Sequence, residues 1–529
     1  MTESDTREQA GKALDAETLM ALAEEYGISF LSAVPDDMLD PALVSDLPVE
    51  WARANLALPI RMGGEGCALT ADPRRMEPHA YLSLLTGETL RPVAASAEVI
   101  ASCIERCYYR RDDSPGAFLQ DLPMDGRADD REGERAADLF EVSAKAPISQ
   151  LVNLILLEAL KKGASDIHVE PFDERLRVRY RVDGVLYEQS APPKRIEEAF
   201  VSRLKVMARM DIAEKRLPQD GMARVRVGER EVDVRVSTVP VAEGERVVLR
   251  LLDRDSALIP LETLGMPPPM FKAFSGLLSE SHGIILVCGP TGSGKTTTLY
   301  AALSQLDASR KNIMTIEEPI EYQLPDIGQI QVKPKIGLDF ASGLRHILRQ
   351  DPDVILVGET RDMETAEIAM RASLTGHLVF TTLHANDAPG AVARLVEMGV
   401  DAHLVAACMK AALAQRLVRK LCPICRIEEA PDPETMAKLG AWATPLAGRS
   451  LWRAGGCDRC LEGYRGRVGL FELMTMNGTL REAVRTGQAD ADGLRGIAMR
   501  QGLQALLVDG AAKIRAGVTS LAEVRGMAG

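Results

Sequence analysis

The amino-acid sequence predicts an α/β protein whose centre is a parallel β-sheet covered by helices on both faces. Four short apolar runs follow one another between helical stretches: GIILVCG from Gly283, NIMTIEE from Asn312, DVILVGE from Asp353 and HLVFTTLH from His377. Runs of this length that are apolar throughout are typical of strands buried on both faces. A glycine-rich segment, GPTGSGKT, directly follows the first run. We therefore expect the main domain to lie near the middle of the chain.

Length and composition divide the rest of the chain. Its 529 residues are enough for three to four domains. Residues 110–138 are charged, contain Gly and Pro and have almost no apolar periodicity, which predicts a flexible linker. The predicted segments are an N-terminal partner-docking module (1–110), the linker (111–145), an α/β sheet domain (146–258), the parallel-sheet domain (259–420), a tetracysteine subdomain (421–465) and a helical C-terminal region (466–529).

The net charge of −13 is concentrated near the N-terminus. Residues 1–150 contain 14 Lys and Arg against 28 Asp and Glu, so the remainder of the chain is close to neutral. A nucleic-acid partner calls for a basic surface, and this composition argues against one. The acidic region is compatible with docking onto a basic protein, or simply with solubility.

The sequence contains no signal for export or membrane insertion. Its N-terminus lacks the basic head and apolar core of a signal peptide. No apolar run approaches the ~20 residues that span a bilayer. We expect a cytoplasmic protein.

The segment 146–258 shows the pattern of a helix followed by antiparallel strands. ISQLVNLILLEALKKGA has apolar residues at helical spacing and ends at Gly163. LRVRYRVDGVLYE then alternates apolar and charged residues around a hairpin turn predicted at Asp183-Gly184. Two further alternating strands, EVDVRVSTV and ERVVLRLLD, complete a predicted sheet.

Two arginines, Arg235 and Arg250, lie at polar positions of those last two strands. Arginines on the polar face of a strand are usually solvated. The alternative is an arginine finger, which neutralises charge in the transition state of phosphoryl transfer.

The segment GPTGSGKT fits the phosphate-loop pattern G-x-x-x-x-G-K-[ST] in the context that the pattern requires, after a buried strand and before a helix. Backbone N–H groups of such a P-loop cradle phosphates at a helix N-terminus. We expect Lys295 to contact the β- and γ-phosphates of ATP and Thr296 to ligate Mg²⁺. A glycine-rich turn without nucleotide is the alternative. The predicted nucleotide-binding residues are Gly289, Pro290, Thr291, Gly292, Ser293, Gly294, Lys295, Thr296 and Thr297.

Acidic residues end two of the apolar runs. Glu359 closes DVILVGE, while Glu317 and Glu318 close NIMTIEE. Because the carboxyl ends of parallel strands meet at the ligand crevice, these side chains are candidates for orienting the attacking water or the magnesium-bound one. The alternative for Glu317 and Glu318 is that they cap a loop.

Two histidines, His377 and His384, flank the last apolar run. A histidine at a strand end is most often structural. A neutral imidazole at this place could instead hydrogen-bond the γ-phosphate.

Four of the nine cysteines form two C-x-x-C pairs, Cys422 with Cys425 and Cys457 with Cys460. Two such pairs bring four thiolates within tetrahedral reach of one Zn²⁺, and a site with four protein ligands is structural rather than catalytic. The alternative is a redox dithiol, which needs only one pair.

Together these patterns predict a RecA-like P-loop core with a preceding α/β sheet domain, a small N-terminal module and a helical C-terminal domain that holds zinc.

With these motifs assembled, the chain resembles the type II/type IV secretion ATPase superfamily over about residues 145–529. The resemblance is carried by ASDIHVEPF, RVDGVL, RLPQDG, the P-loop, TIEEPIEY, LRQDPDVILVGETRD, TGHLVFTTLHAND, AQRLVRKLCPIC and GCDRCLEGYRGRVGLFEL. It implies a homo-hexamer whose nucleotide lies between the sheet domain and the RecA-like domain. It also implies inner-membrane partners of the GspL and GspF type, with no membrane association except through them.

The resemblance assigns residues as well. The acidic box of the superfamily falls on Glu317–Glu321, its Walker B strand on Val354–Glu359 and its histidine box on His377–His384. Its arginines near the nucleotide match Arg235, Arg250, Arg345 and Arg349, which favours the finger interpretation. Its zinc motif matches the two C-x-x-C pairs, a motif absent from most pilus retraction ATPases.

The sequence departs from the superfamily at three places. Glu318 replaces the usual Asp of the acidic box, which favours Glu317 as the water-positioning residue without excluding Glu318. Met222 and Ala385 replace a usual Arg and a usual Asn. The N-terminal segment lacks the RLG-type repeats with which many pilus-extension relatives bind cyclic dinucleotides, and instead resembles a partner-docking domain, which favours type II secretion over pilus extension.

These inferences predict ATP hydrolysis coupled to domain closure in a ring, which drives pseudopilus assembly. Two alternatives from other classes stay open. A nucleic-acid translocase would share the core but should show a basic channel, and a non-hydrolysing nucleotide switch should show a damaged acidic box.

Overall fold

The computed structural model describes residues 16–109, 115–120, 137–138, 147–227, 230–253, 259–432, 434, 436, 440–487 and 490–527. The chain divides into two compact units, Met1–Asp255 and Ser256–Gly529. Most of the predicted linker lies outside the described residues. Its described parts are a helix, Pro115–Gln120, and a two-residue strand, Ala137–Asp138.

The N-terminal module is a small mixed sheet with helices packed on it. Its elements are α1 (Ala16–Glu25), β1 (Ser29–Leu31), α2 (Val49–Asn55), β2 (Ala57–Met62), β3 (Glu65–Thr70), α3 (Met76–Thr86), β4 (Arg91–Ala95) and α4 (Ala97–Tyr109). Among the described residues the strand order is β1-β4-β3-β2, with only β2 and β3 antiparallel. Helix α4 buries Ile100, Ile104 and Cys107 at helical spacing. Tyr108 of this helix donates a hydrogen bond to the carbonyl of Leu47 at 2.6 Å, which ties the helix to the preceding loops.

The sheet domain of the first unit is almost entirely antiparallel. After α5 (Pro115–Gln120), its elements are β5 (Ala137–Asp138), α6 (Pro147–Lys161), β6 (Ala164–Pro171), β7 (Leu176–Val182), β8 (Val185–Ser190), α7 (Glu197–Met207), β9 (Gln219–Val227), β10 (Arg230–Val241) and β11 (Gly244–Asp253). The described strands have the order β5-β9-β10-β11-β6-β7-β8. The predicted hairpin is confirmed, because β7 and β8 pair across a turn in which Asp183 and Gly184 have φ of 50° and 89°.

The second unit is built on the predicted parallel sheet. Its elements are α8 (Pro268–Leu277), β12 (Gly283–Cys288), α9 (Lys295–Leu303), β13 (Ile313–Glu317), β14 (Gly328–Gln331), α10 (Phe340–Ile347), β15 (Val354–Val357), α11 (Met363–Leu374), β16 (Leu378–Leu383), α12 (Ala388–Glu397), α13 (Ala402–Cys408), β17 (Met409–Leu421), β18 (Ile427–Glu429), β19 (Leu451–Arg453), β20 (Tyr464–Thr475), α14 (Gly478–Arg485), α15 (Ala491–Arg500), α16 (Leu506–Arg515) and α17 (Leu521–Arg525).

The strand order of this sheet, within the described residues, is β14-β13-β15-β16-β12-β17-β20. All neighbours are parallel except β17 and β20. Ile284 and Leu286 of β12 belong to one hydrophobic cluster, whereas Ile285 and Val287 belong to another. Because successive side chains of a strand point to opposite faces, helices cover the sheet on both sides, as predicted.

Two boundaries differ from the sequence prediction. The sheet does not end at residue 420, since β17 runs to Leu421 and pairs with β20. The prediction that residues 466–529 are helical is wrong for residues 466–475, which form most of β20, and the helices begin at Gly478. A short apolar run such as VGLFELM does not distinguish a helix from a buried strand. Pairing with β17 decides the outcome, and it makes the cysteine-bearing segment an insertion between two strands of one sheet.

Candidate active site and metal centre

The P-loop connects β12 to α9, as the motif requires. Gly289 has a φ of 154°, and a Cβ at this residue would lie 2.5 Å from the carbonyl oxygen of Gln415. A Cβ at Gly294 would lie 2.8 Å from the side-chain nitrogen of the same glutamine. The loop backbone therefore passes too close to the backbone of β17 for a Cβ at Gly289, and Gly294 has a φ of 86°, which favours glycine. Gln415 also accepts a hydrogen bond from Thr298 at 2.7 Å, which anchors the start of α9.

Lys295 lies over this loop. Its Nζ donates to the carbonyl oxygens of Gly289 and Pro290 at 2.8 and 3.1 Å. Burial lowers the pKa of Lys295, and the negative charge of Glu359 opposes that shift. Ser293 is buried, and its hydroxyl has no hydrogen-bond partner among the described residues. A loop that requires glycine at residues 289 and 294, a buried hydroxyl and a lysine at the helix start fit a bound triphosphate, and the exposed Thr296 fits its Mg²⁺.

The ends of neighbouring strands bring a charged cluster to the same edge of the sheet. The strands β13, β15, β16 and β12 are consecutive and parallel, so the residues that follow them meet there. His384 Nε2 is 3.0 Å from one carboxylate oxygen of Glu359, and Arg361 Nε donates to the other oxygen at 2.8 Å. Arg361 also donates to Glu318 at 3.1 Å. The structure thus joins His384, Glu359, Arg361 and Glu318 in one chain of contacts.

Arg361 was not singled out in the sequence. It lies in the GETRD segment, two residues after Glu359. A single exposed arginine after a strand gives no pattern of its own, and only the register of β13 and β15 shows that it reaches both carboxylates.

Glu317 has a different environment from that of Glu318. It is 3% exposed and accepts hydrogen bonds from Tyr300 Oη, from Thr315 Oγ1 at 2.5 Å and from Gln329 Nε2 at 3.1 Å. Its carboxylate is therefore taken up by the interior of the sheet. The sequence favours Glu317 as the water-positioning residue without excluding Glu318. These contacts favour Glu318, which follows the end of β13 and contacts Arg361, and the choice between the two stays a prediction.

The two candidate histidines lie at different places in the structure. His384 contacts Glu359, but His377 precedes β16 and therefore lies at the opposite edge of the sheet from the P-loop. The ring nitrogen Nδ1 of His377 lies 2.8 Å from the carbonyl oxygen of Ala372, so it donates there and closes the turn between α11 and β16. The phosphate-sensing interpretation of His377 is not supported by this position, and its structural interpretation is.

The four candidate arginines are distributed over both units. Arg345 pairs with Glu364 on α11, and Arg349 contacts His346 and the Arg345 carbonyl, so these contacts bring neither to the P-loop. Arg235 and Arg250 belong to the first unit, where they are direct partners across β10 and β11. Their role as fingers stays a prediction.

The two C-x-x-C pairs converge. The four Sγ atoms of Cys422, Cys425, Cys457 and Cys460 lie within 4.8 Å of one another, and three of the six pairs are 3.6 to 3.9 Å apart. Four thiolates held tetrahedrally at ~2.3 Å from Zn²⁺ are separated by ~3.8 Å. The cluster therefore has the dimensions of a closed structural zinc site, and the β18–β19 hairpin is the part that loops out between its two halves.

Comparison with known proteins places this chain in a family. The family described as "Type II/IV secretion system protein" matches residues 141–526, and the "MshEN domain" family matches residues 26–114. The chain belongs to the type II/IV secretion system protein family. Family membership and the P-loop together make it an ATPase.

Relatives in this family align over most of the chain. The type II secretion system protein HxcR of Pseudomonas aeruginosa is 46% identical over 91% of this chain and 98% of its own length. The type II secretion system ATPase E of Vibrio cholerae is 48% identical over 85% of this chain and 90% of its own. The type IV pilus assembly ATPase PilB of Myxococcus xanthus is 41% identical over 96% and 90%.

A solved ATPase structure shares the fold. The Legionella pneumophila ATPase DotB aligns with a TM-score of 0.53 and 20% identity, over 76% of this chain and 99% of that one. Among the described residues of the present chain, no helix combines the length and apolar character needed to cross a bilayer.

Proposed function

We propose that the chain is the motor ATPase of a type II secretion system. The observation that carries this proposal is the edge of the parallel sheet, where the P-loop, Glu359, Glu318 and His384 meet, in a chain that matches HxcR over nearly its whole length. The turnover of ATP at this edge would drive assembly of a pseudopilus and export of folded protein.

In this proposal, different residues of the site have different roles in ATP hydrolysis. Lys295 and the backbone of residues 289–297 would hold the phosphates, and Thr296 would hold Mg²⁺, which would supply charge neutralisation there. Glu359 and Glu318 orient the attacking water. His384 and Arg361 each take one oxygen of Glu359 and so hold its carboxylate in place.

The proposal extends to assembly and location. The chain acts as a homo-hexamer in the cytoplasm and reaches the inner membrane only through partners of the GspL and GspF type, with no nucleic acid involved. Arg235, Arg250, Arg345 and Arg349 are the candidates for neutralising phosphate charge in that ring. Zn²⁺ on the four cysteines has a structural role.

A pilus-extension ATPase is the second candidate, and the 41% identity to PilB favours it. The two candidates share the same chemistry and differ in the membrane partner that recruits the motor. The partner is therefore the property to test.

The test measures Mg²⁺-dependent ATP turnover and molar mass by light scattering, with and without the cytoplasmic domain of a GspL-type protein. We expect turnover and mass to rise together when the partner is added. A pilus platform protein that raises turnover where the GspL-type domain does not would favour the second candidate.

Two further outcomes would reject the hypothesis that the chain is a motor ATPase. Turnover that responds to DNA and not to either membrane partner would indicate a translocase. Well-formed rings without turnover would indicate a nucleotide switch.

A further inference from the structure

Two buried carboxylates lie on the polar face of the sheet domain. Asp166 and Glu170 of β6 alternate with Ile167 and Val169 and are only 6% and 4% exposed. An acidic side chain is rarely this buried unless it has a charged partner. Both have arginine partners on the neighbouring strands, but the two arrangements differ.

Asp166 lies in a row of residues that crosses the sheet. Its direct partners are Arg181 on β7 and Arg250 on β11, and Arg250 is in turn directly opposite Arg235 on β10. Arg250 Nε donates to Asp166 Oδ1 at 2.9 Å, whereas Arg181 Nε is 3.8 Å from Oδ2. Within this row, Asp166 therefore has its shortest contact with Arg250.

Directly opposed residues of an antiparallel pair have Cβ atoms about 5 Å apart, and like charges at that distance repel. Arg235 and Arg250 stand in this relation. Asp166 lies on the other side of Arg250 and offsets the repulsion. Its contact uses Nε, the guanidinium nitrogen nearest the backbone, and 60% of the Arg250 side chain stays exposed.

Glu170 provides a matched comparison on the same strand. It accepts hydrogen bonds from Arg177 Nε at 3.0 Å and from Arg179 Nη2 at 2.7 Å, and it forms an ion pair with Arg246, whose Nη2 lies 3.0 Å from Oε1. The β10 residue opposite Arg246 is Val239. Glu170 thus binds arginines as tightly as Asp166 does, but it does not hold one of them against a second arginine on β10.

We propose that Asp166 is a positioning residue for ATP hydrolysis, which orders the guanidinium of Arg250, in the same row as Arg235, so that the two arginines can neutralise phosphate charge in the transition state. The inference rests on the proposed function, in which Arg235 and Arg250 are finger arginines. A guanidinium held by a buried carboxylate is already ordered before nucleotide arrives, so less side-chain entropy is lost when it engages the transition state.

The experiment measures kcat and KM for ATP with the full chain and four variants: Asp166→Asn, Glu170→Gln, Arg250→Ala and the double variant Asp166→Asn/Arg250→Ala. Since an arginine finger contributes about 10³-fold or more, we expect Arg250→Ala to lose at least about a hundredfold in kcat. We expect Asp166→Asn to lose about tenfold in kcat with KM changed less than about threefold. Glu170→Gln is expected to stay within about twofold of the parent in kcat, although its melting temperature falls.

The double variant separates positioning from stability. If Asp166 acts through Arg250, removing it after Arg250 is gone costs nothing further, so the double variant should match Arg250→Ala within about twofold. Asp166→Glu keeps the carboxylate and is expected to recover most of the turnover that Asp166→Asn loses. If thermal melting shows that Asp166→Asn does not fold, Asp166→Ser replaces it in the cycle, because it also removes the carboxylate.

Three results would overturn the inference: equal kcat losses in Asp166→Asn and Glu170→Gln, multiplicative losses in the double variant, or an Asp166→Asn variant with parental kcat. An Arg250→Ala variant with parental turnover would have a different meaning from these three results. It would reject the finger role within the proposed function, and with it the reason for any positioning by Asp166.

Discussion

Glu317 and Glu318 are neighbours in sequence with opposite environments. Tyr300, Thr315 and Gln329 surround the carboxylate of Glu317 in the interior, whereas Glu318 faces Arg361 at the nucleotide edge. A single peptide step therefore separates a structural acid from a candidate catalytic one. Glu317 is the last residue of β13, whereas Glu318 is the first residue after the strand ends.

This difference predicts distinct effects of isosteric substitutions. Glu359→Gln should lower kcat about 10²-fold or more without weakening ATP binding, because the carboxylate activates water rather than holding phosphate. Glu318→Gln should lower kcat by a smaller factor. Glu317→Gln should cost about 1–3 kcal/mol of stability, since its amide group leaves a buried donor unpaired.

Steady-state kinetics, nucleotide binding and thermal melting on the three variants check this prediction. The assignment is contradicted if Glu317→Gln melts like the parent and loses as much kcat as Glu359→Gln.

The glycines of the P-loop make a second prediction at this scale. Gly289→Ala would place a methyl group 2.5 Å from the Gln415 carbonyl at a φ of 154°, so we expect loss of nucleotide binding by about tenfold or more. Gly276→Ala on α8 is the matched control, because its Cβ meets nothing within 4 Å and the helix favours alanine. Titration of both variants with a fluorescent nucleotide measures their nucleotide affinities. Equal affinity in the two variants would contradict the argument that the backbone at Gly289 lies too close to Gln415 for a side chain.

At the scale of elements, the cysteine insertion is held between β17 and β20 by more than its cysteines. The guanidinium of Arg419 lies 4.1 Å from the ring centre of Tyr464, and that of Arg426 lies 4.4 Å from the ring of Trp452. Arg419 also pairs with Glu523 of α17 at 2.8 Å. Leu446 and Leu451 of the insertion share a hydrophobic cluster with Val524 of α17, so the insertion packs onto the C-terminal helix, while its own strands β18 and β19 form a separate two-stranded sheet.

Because this region is distant in sequence from the P-loop and has its own contacts, metal loss should affect stability before catalysis. We expect one Zn²⁺ per chain by elemental analysis, and its removal by a chelator or by Cys425→Ser should lower the melting temperature. Nucleotide affinity at 25 °C should stay within about threefold. Cys408→Ala, which changes a buried cysteine outside the cluster, should keep the metal; loss of Zn²⁺ from that control, or its retention in Cys425→Ser, would contradict the assignment.

At the scale of the whole molecule, the two units carry different parts of the predicted chemistry. The P-loop and the acidic cluster belong to Ser256–Gly529, which has its own hydrophobic clusters on both faces of its sheet. Arg235 and Arg250 belong to Met1–Asp255. Truncation therefore separates the P-loop from these two finger candidates, whereas Arg345 and Arg349 stay in the same unit as the P-loop.

A fragment of residues 256–529 should bind ATP within about threefold of the full chain, yet turn it over at least about tenfold more slowly, because it lacks both arginines. Calorimetric binding and phosphate release, with thermal melting to verify folding, check this expectation. A folded fragment with full turnover would show that the first unit contributes no catalytic group.

Much of the fold was predictable because local signals agreed with it. The short apolar runs, the Asp183-Gly184 turn and the alternating strands each have one stable solution once a face must be buried. β20 was the exception, since its apolar run suits a helix or a strand equally and only pairing with β17 selects one.

The sequence by itself determined the chemistry of this protein: a P-loop, acidic strand ends and four zinc-spaced cysteines, because each motif needs particular residue types at a local spacing. The tertiary structure alone decided which residues share a site. It paired His384 and Arg361 with Glu359, took Glu317 into the interior, set His377 at the far edge and joined Asp166 to Arg250. Those contacts follow from strand order and register, which depend on the packing of segments far apart in the chain.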